Sequence, residues 1–298
     1  MITSAQNPLI KACIQLRKHS ARAETGRLLI EGFREISFAL NNRYPIDTLI
    51  TCPELMSQKI NESIDQIINK SLKQQNNKTN DQISVISANQ FHQCSDLKQQ
   101  EVEVTIDLFR RISYRENPDG YLAIAPVFST KLADITLPDK PLVLVAESIE
   151  KPGNLGTLFR IADAAGAHAV ISSDPCTDLG NPNLIRASQG TVFSLQKAES
   201  TNDDTLAWLH SHNLQIIATS AHAEKIYTEP DYSKPTALVF GTESTGLTDF
   251  WKQNADHLVK IPMAGQASSL NIASAASVLV FEAVKKAKSI SAFESKLS

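Results

Sequence analysis

The chain has 298 residues, 42% of them hydrophobic and 20% charged, with a formal net charge of −3. That mixture belongs to a packed protein of about two domains, not to a disordered or fibrous one. The near-neutral charge gives no global electrostatic case for nucleic acid, no apolar run approaches the ~20 residues of a membrane span, and the polar opening residues do not read as a secretory signal.

In chain order, Asn7–Ser20 carries Leu9, Ile10, Ile14 and Leu16 at rough helical spacing, and Arg27-Leu-Leu-Ile-Glu-Gly is a short apolar strand stopped by Gly32. Phe33–Asn41 reads as a helix, and Asp47–Thr51, Ile83–Ile86 and Gly120–Ala125 read as strands. Between them, Asn61–Gln82 is rich in Asn, Gln and Lys and poor in bulky apolar residues after Ile68, and its second half reads as a solvated loop or a ragged helix end. Pro126–Lys140 holds two prolines and no periodicity and is the expected linker, which divides the chain into domains at 1–125 and 141–298. Beyond it, Leu142–Ala146 is a continuous apolar strand of the kind buried on both faces of a parallel sheet. Helices at Leu155–Gly166, Leu184–Gln189 and Asp203–His212 and strands at Ala169–Ser172, Gln215–Thr219, Ala237–Gly241 and His257–Ile261 follow, before a long helix at Ser269–Lys288. The alternation predicts an α/β domain with a mainly parallel sheet.

Charge is unevenly spread. Residues 1–43 hold seven Lys/Arg against three acidic residues. Such a segment reads equally as a phosphate-facing patch, with Arg34 among its cations, or as a solvated helix face. The four cysteines, Cys13, Cys52, Cys94 and Cys176, are too widely spaced for a zinc site or a disulfide framework, and the histidines form no ligand pattern. Reduced thiols in a cytoplasmic protein, with no metal, are expected.

Three segments carry chemistry. Glu147-Ser-Ile-Glu-Lys-Pro-Gly-Asn-Leu-Gly-Thr-Leu-Phe-Arg160 leaves a buried strand and enters a helix, the place where open α/β sheets bind ligands. Its glycines permit close backbone approach, Asn154 is placed to cap the helix, and Arg160 can reach back to an anion. It is neither GxGxxG nor a P-loop. Leu238-Val-Phe-Gly-Thr-Glu-Ser-Thr-Gly246 again delivers a glycine and then a carboxylate, Glu243, which either ties down its own loop or orients a ligand. Val259-Lys-Ile-Pro-Met-Ala-Gly-Gln-Ala-Ser-Ser-Leu-Asn-Ile-Ala-Ser274 gathers Ser268, Ser269 and Asn271 before the last helix, as caps or as site residues. Three such loops at three strand ends predict one pocket.

In order and spacing these segments resemble the three motifs of the SpoU (TrmH) family of RNA ribose 2′-O-methyltransferases, of the SPOUT superfamily. Asn181-Pro-Asn-Leu-Ile-Arg-Ala-Ser-Gln-Gly-Thr also resembles the family's segment at that place. Ser4-Ala-Gln-Asn-Pro-Leu-Ile-Lys and Leu29-Ile-Glu-Gly-Phe-Arg-Glu are similar to its ribosomal-protein-like substrate-binding domain. The resemblance implies a deep trefoil knot, which no periodicity reveals, a homodimer whose sites draw on both subunits, and S-adenosylmethionine as methyl donor. It further implies backbone contacts to that cofactor from Gly241, Ile261 and Leu270, with Thr219 bordering the same pocket. Asn154, Arg160, Glu243, Ser269 and Asn271 match the family's polar site residues, and Arg186 a position of RNA phosphate contact. A general-base role for Arg160 sits uneasily with a guanidinium that is effectively always protonated, and a cation gripping an RNA phosphate would serve as well. The implied substrate is ribosomal RNA, most simply 23S, ahead of tRNA. The rival readings are a non-catalytic RNA-binding relative and a nucleotide oxidoreductase, the second lacking its glycine fingerprint.

Overall fold

The computed structural model describes residues 1–56 and 100–287. The expected strand Ile83–Ile86, the polar stretch Asn61–Gln82, Cys94 and Lys288 lie outside them. The chain forms two compact units, Met1–Phe128 with Gly180–Ser194, and Ser129–Leu179 with Leu195–Ser298.

The first unit is built on a four-stranded sheet in the order β1 (Arg27–Glu31), β4 (Tyr121–Pro126), β2 (Thr48–Thr51) and β3 (Gln100–Glu103). β4 runs antiparallel to both neighbours, and β2 pairs parallel with β3. Helix α1 (Pro8–Gln15) opens on Asn7, whose Oδ1 accepts the Leu9 N–H at 2.9 Å, with Pro8 at the first helical position. The expected helix Asn7–Ser20 stops at Leu16, and α2 (His19–Thr25) follows, ended by Gly26 at φ 62°. Helix α3 (Phe33–Asn41) falls where the sequence pattern put it, and α4 (Ile106–Ile112) was not foreseen. Ile10, Cys13, Leu29, Ile50, Phe109 and Leu122 form the core between sheet and helices. Burial pushes the Cys13 thiol up to about 12 and Cys52 to about 11, so both are inert thiols.

The second unit carries a seven-stranded, all-parallel sheet. Its order is β7 (Gln196–Ser200), β6 (Ala169–Ser173), β5 (Leu142–Glu147), β10 (Thr236–Phe240), β8 (Gln215–Thr219), β11 (His257–Lys260) and β9 (Lys225–Ile226). Alternation along β5 sends Val143 and Val145 into one apolar layer with Ile171, Ile216, Val239 and Trp251, while Leu144 and Ala146 are buried on the opposite face. Helix α5 (Pro152–Ala165) packs against α9 (Ile272–Ala287), which also contacts β10. Helices α7 (Asn202–Ser211) and α8 (Asp249–Asn254) complete the unit. The parallel α/β architecture expected from the alternation is therefore present.

Two details differ from the sequence reading. Residues 126–140 are not an open connection: Pro126 ends β4, Ile135 enters the second core, and Thr136 and Gln196 exchange two hydrogen bonds of 2.7 Å. The segment Gly180–Ser194, with α6 (Pro182–Ala187) and a 3₁₀ turn at Thr191–Phe193, packs with the first unit, α6 against β1 and the turn against α3. Close contact explains this packing. A Cβ on Gly190 (φ 89°) would sit 2.6 Å from Phe38 Cβ, so only glycine lets that turn approach the helix. No helix among the described residues is long and apolar enough to cross a membrane, and none of their His, Cys, Asp or Glu side chains cluster as metal ligands.

Candidate active site

β5 leads away through β6 and β7 on one side, while β10, β8 and β11 lie on the other. The order therefore reverses beside β5, and the crevice at the carboxyl ends of such strands is where open α/β sheets hold ligands. Adjacent strands β10, β8 and β11 release loops 241–247, 220–224 and 261–271 at that end. Together they line a cavity of about 760 Å³, within the range of a small-molecule site. Phe240, Leu247, Val259, Ile261 and Leu279 give it apolar walls, and Lys252 and Lys260 bring positive charge to its rim.

The loop after β10 closes on itself. Thr242 and Gly246 exchange two backbone hydrogen bonds of 3.1 Å, and the Thr242 hydroxyl contacts that of Thr245 at 2.8 Å. A Cβ on Gly241 would lie 2.3 Å from both the Gly246 carbonyl carbon and the Leu247 nitrogen. No side chain fits there, which is the physical reason for glycine at the strand end. The closed loop projects Glu243 towards the start of α5, where Lys151 Nζ meets Glu243 Oε2 at 2.9 Å. That hydrogen bond holds the Glu243 carboxyl below its ordinary range, with a further contribution from the Asn154 side chain, and it raises Lys151 in turn.

Behind the loop lies a buried polar network that the sequence did not disclose. Glu147, 1% exposed at the end of β5, accepts the Thr248 N–H at 2.9 Å, the Thr248 hydroxyl at 2.5 Å and Asn202 Nδ2 at 3.1 Å. Asn202 Oδ1 in turn accepts Trp251 Nε1 at 2.7 Å and the Ser173 hydroxyl at 2.5 Å. Thr248 is the residue on which loop 241–247 becomes α8, so Glu147 fixes the far end of that loop. A buried carboxylate is tolerable only when so fully hydrogen-bonded.

The expected site residues divide into groups. Thr219, Gly241, Glu243, Ile261, Ser269 and Leu270 all line the cavity. The Thr219 hydroxyl is held by Val239 O at 3.1 Å. Asn154 joins the group through Glu243 and does not cap α5, a correction to the sequence reading. The helix starts earlier, on Lys151, because Pro152 fixes φ and has no N–H to leave unsatisfied at the first helical position. Asn271 does serve as a cap: its Oδ1 accepts the Ser274 N–H at 2.8 Å at the start of α9. Arg160 is exposed on α5, outside the cavity lining and without an ion pair among the described residues. Arg186 on α6 is exposed in the first unit, as is Arg34 on α3. Lys151 and Glu147 were missed; the one signal for Lys151 was its place beside Pro152 at a strand–helix junction.

The basic N-terminal segment resolves into two populations. Arg22 is buried and donates to Leu16 O and Arg17 O, and Arg27 pairs with Asp47 at 2.5 Å. Lys11, Lys18, Arg34 and Arg43 are exposed.

Comparison with known proteins agrees with this geometry. The SpoU rRNA Methylase family matches residues 141–281, and the MRM3-like substrate binding domain matches residues 7–123. The 23S rRNA (uridine(2479)-2'-O)-methyltransferase of Streptomyces viridochromogenes is 26% identical over 91% of this chain and 87% of its own. An uncharacterized tRNA/rRNA methyltransferase of Synechocystis sp. is 30% identical over 95% of this chain and 92% of its own. The crystal structure of an AdoMet-bound rRNA methyltransferase from Sinorhizobium meliloti superposes with a TM-score of 0.77 at 28% identity, covering 97% of this chain and 98% of that one.

Proposed function

The chain belongs to the SpoU methylase family, and we propose on that footing that it transfers a methyl group from S-adenosylmethionine to a ribose 2′-OH of ribosomal RNA, 23S in the first instance. The observation that carries this function is the convergence of three strand-end loops on one cavity, with the Asn154–Glu243–Lys151 group at its side. The cavity suits the donor: its apolar walls match an adenine ring, its backbone-rich loops offer polar groups to a ribose, and its rim lysines complement a carboxylate. Gly241, Ile261 and Leu270 would hold the nucleoside end, with Thr219 beside them. When bound, the donor supplies an electrophilic methyl on a sulfonium.

The chain's own residues have to position a 2′-OH in line with that methyl and ease the loss of its proton. Glu243, held ionised by Lys151 and Asn154, keeps the loop beside the cavity at a fixed geometry, and preorganisation of this kind is a large part of catalysis. Arg160, without an ion pair among the described residues, is available to an RNA phosphate and acts on the acceptor hydroxyl from there. Its place outside the cavity lining supports a site completed by a second subunit. The homodimer belongs to the proposal, with the 42% exposed Phe281 of α9 at the subunit contact, as do the trefoil knot and a cytoplasmic location. Ser269 and Asn271 shape the cavity's other wall, the latter through its cap on α9. Arg34 and Arg186, carried by the same compact unit, contact RNA phosphates.

Transfer of labelled methyl to ribosomal RNA and to tRNA, each from cells lacking the gene, tests the proposal. Label in ribosomal RNA that disappears with Arg160→Ala is expected. Label in tRNA alone overturns the substrate, and label in neither overturns the activity.

A further inference from the structure

In the first unit another buried glutamate serves a surface loop remote in sequence from the motif segments. Glu31, 5% exposed at the end of β1, accepts hydrogen bonds from three consecutive residues: the Ser113 hydroxyl, the Tyr114 N–H at 2.6 Å and the Arg115 N–H at 3.2 Å. Arg115 returns a hydrogen bond to Glu31 O at 3.1 Å and pairs with Glu35 at 2.8 Å. From the other side, Arg17 Nη2 donates to Arg111 O at 2.7 Å and Ser113 O at 2.6 Å, which sets its guanidinium 5.0 Å from the centre of the Tyr114 ring. The backbone on both sides of Tyr114 is thus fixed, yet its side chain remains 37% exposed.

Burying a carboxylate costs free energy unless every lone pair is used, and here that cost maintains one conformation of a loop whose central side chain points to solvent. A tyrosine held rigid, with an arginine on its ring and the exposed Arg110 and Arg111 alongside, has the makeup of a stacking platform for an unpaired base. The ring offers a π face to any base, Arg17 polarises it, and the neighbouring arginines meet the flanking phosphates.

We propose that Tyr114, backed by Arg17 and held by Glu31, is a base-stacking platform for single-stranded RNA in the first unit. It rests on the reading of the protein as an RNA-modifying enzyme and adds a contact point which that reading does not name. The test is binding of the full-length protein to a labelled single-stranded oligouridylate of about ten nucleotides, a length within the usual site size. Tyr114→Phe keeps the ring and is expected to bind within about twofold of wild type, whereas Tyr114→Leu weakens binding on the order of tenfold. Arg111→Ala is expected to lower the slope of log affinity against log salt by about one. Unchanged S-adenosylmethionine affinity in Tyr114→Leu reports an intact second unit. Wild-type affinity in Tyr114→Leu overturns the platform and leaves the patch as a protein-docking surface. Failure of the wild type to bind the oligonucleotide overturns it too. Neither result touches methyl transfer to ribosomal RNA, whose absence would sink the underlying function instead.

Discussion

Each of the two units uses a buried glutamate at a strand end to fix a loop, and they do so with different partners. In the second unit Glu147 is satisfied by neutral donors, Asn202 and Thr248, and the loop it holds closes one side of the cavity. In the first, Glu31 takes a hydroxyl and two backbone N–H groups, and Arg115 links it to a second buried acid, Glu35, whose carboxyl is pushed up by burial faster than Arg115 brings it down. Neutral donors hold the Thr248 end of that loop without a cation, while the exposed Lys151–Glu243 pair ties its tip, so the base of the loop keeps its shape while a charged donor enters and leaves. An arginine-linked cluster near the surface couples loop and charge, which suits a face that meets a polyanion.

The largest effect separating the units should come from Gly241→Ala. Its Cβ collides with backbone that cannot yield without opening the Thr242–Gly246 bridge. Loss of measurable S-adenosylmethionine binding by calorimetry is expected, with RNA binding by the first unit retained. The contrasting Gly153→Ala meets nothing within 4 Å in the first turn of α5, and stability should rise slightly, by up to about 0.5 kcal/mol in urea unfolding.

Glu147→Ala ranks next. It strands the Thr248 N–H and the Asn202 amide in the interior and should cost about 2–3 kcal/mol in chemical denaturation. It should also weaken cofactor affinity, because Thr248 ends loop 241–247, which lines the cavity. Glu31→Ala is expected to lose comparable stability with no change in cofactor affinity. Equal losses of cofactor affinity in the two variants would dissolve the distinction between the units.

A pH effect is expected at Lys197 on β7, whose burial lowers it from 10.5 to about 8. Between those values the unfolded chain binds the proton and the folded one does not, so the contribution of Lys197 to stability should rise with pH from about 8 to 10.5, against the opposite trend of the buried thiols Cys13 and Cys52. Lys197→Met should flatten that rise in denaturation curves taken across the window. Lys151→Ala should have the least effect on stability, since the ion pair with Glu243 is exposed. Any lowered turnover it shows should appear without a change in melting temperature.

How far the sequence could be read follows from what each residue's role depends on. β1, α3 and β8 were legible because their apolar patterns are local. The cavity residues were legible because glycines and polar residues at strand ends have few other uses. β7 escaped notice because only Ala198 of its five residues is fully buried, as suits an edge strand. The return of Gly180–Ser194 to the first unit depends on Gly190 meeting Phe38, a contact between residues far apart in sequence that no period encodes. Glu147 and Glu31 look like surface acids in the sequence, since their donors come from distant segments.

The central claim is that the loops after β8, β10 and β11 hold the methyl donor. A crystal structure of the full chain with S-adenosylmethionine bound tests it most directly. Its adenine should lie among Gly241, Ile261 and Leu270, with Thr219 at the edge and Arg160 outside the cofactor's contacts. A cofactor bound anywhere else, or one that displaces the Thr242–Gly246 loop to enter, would contradict it.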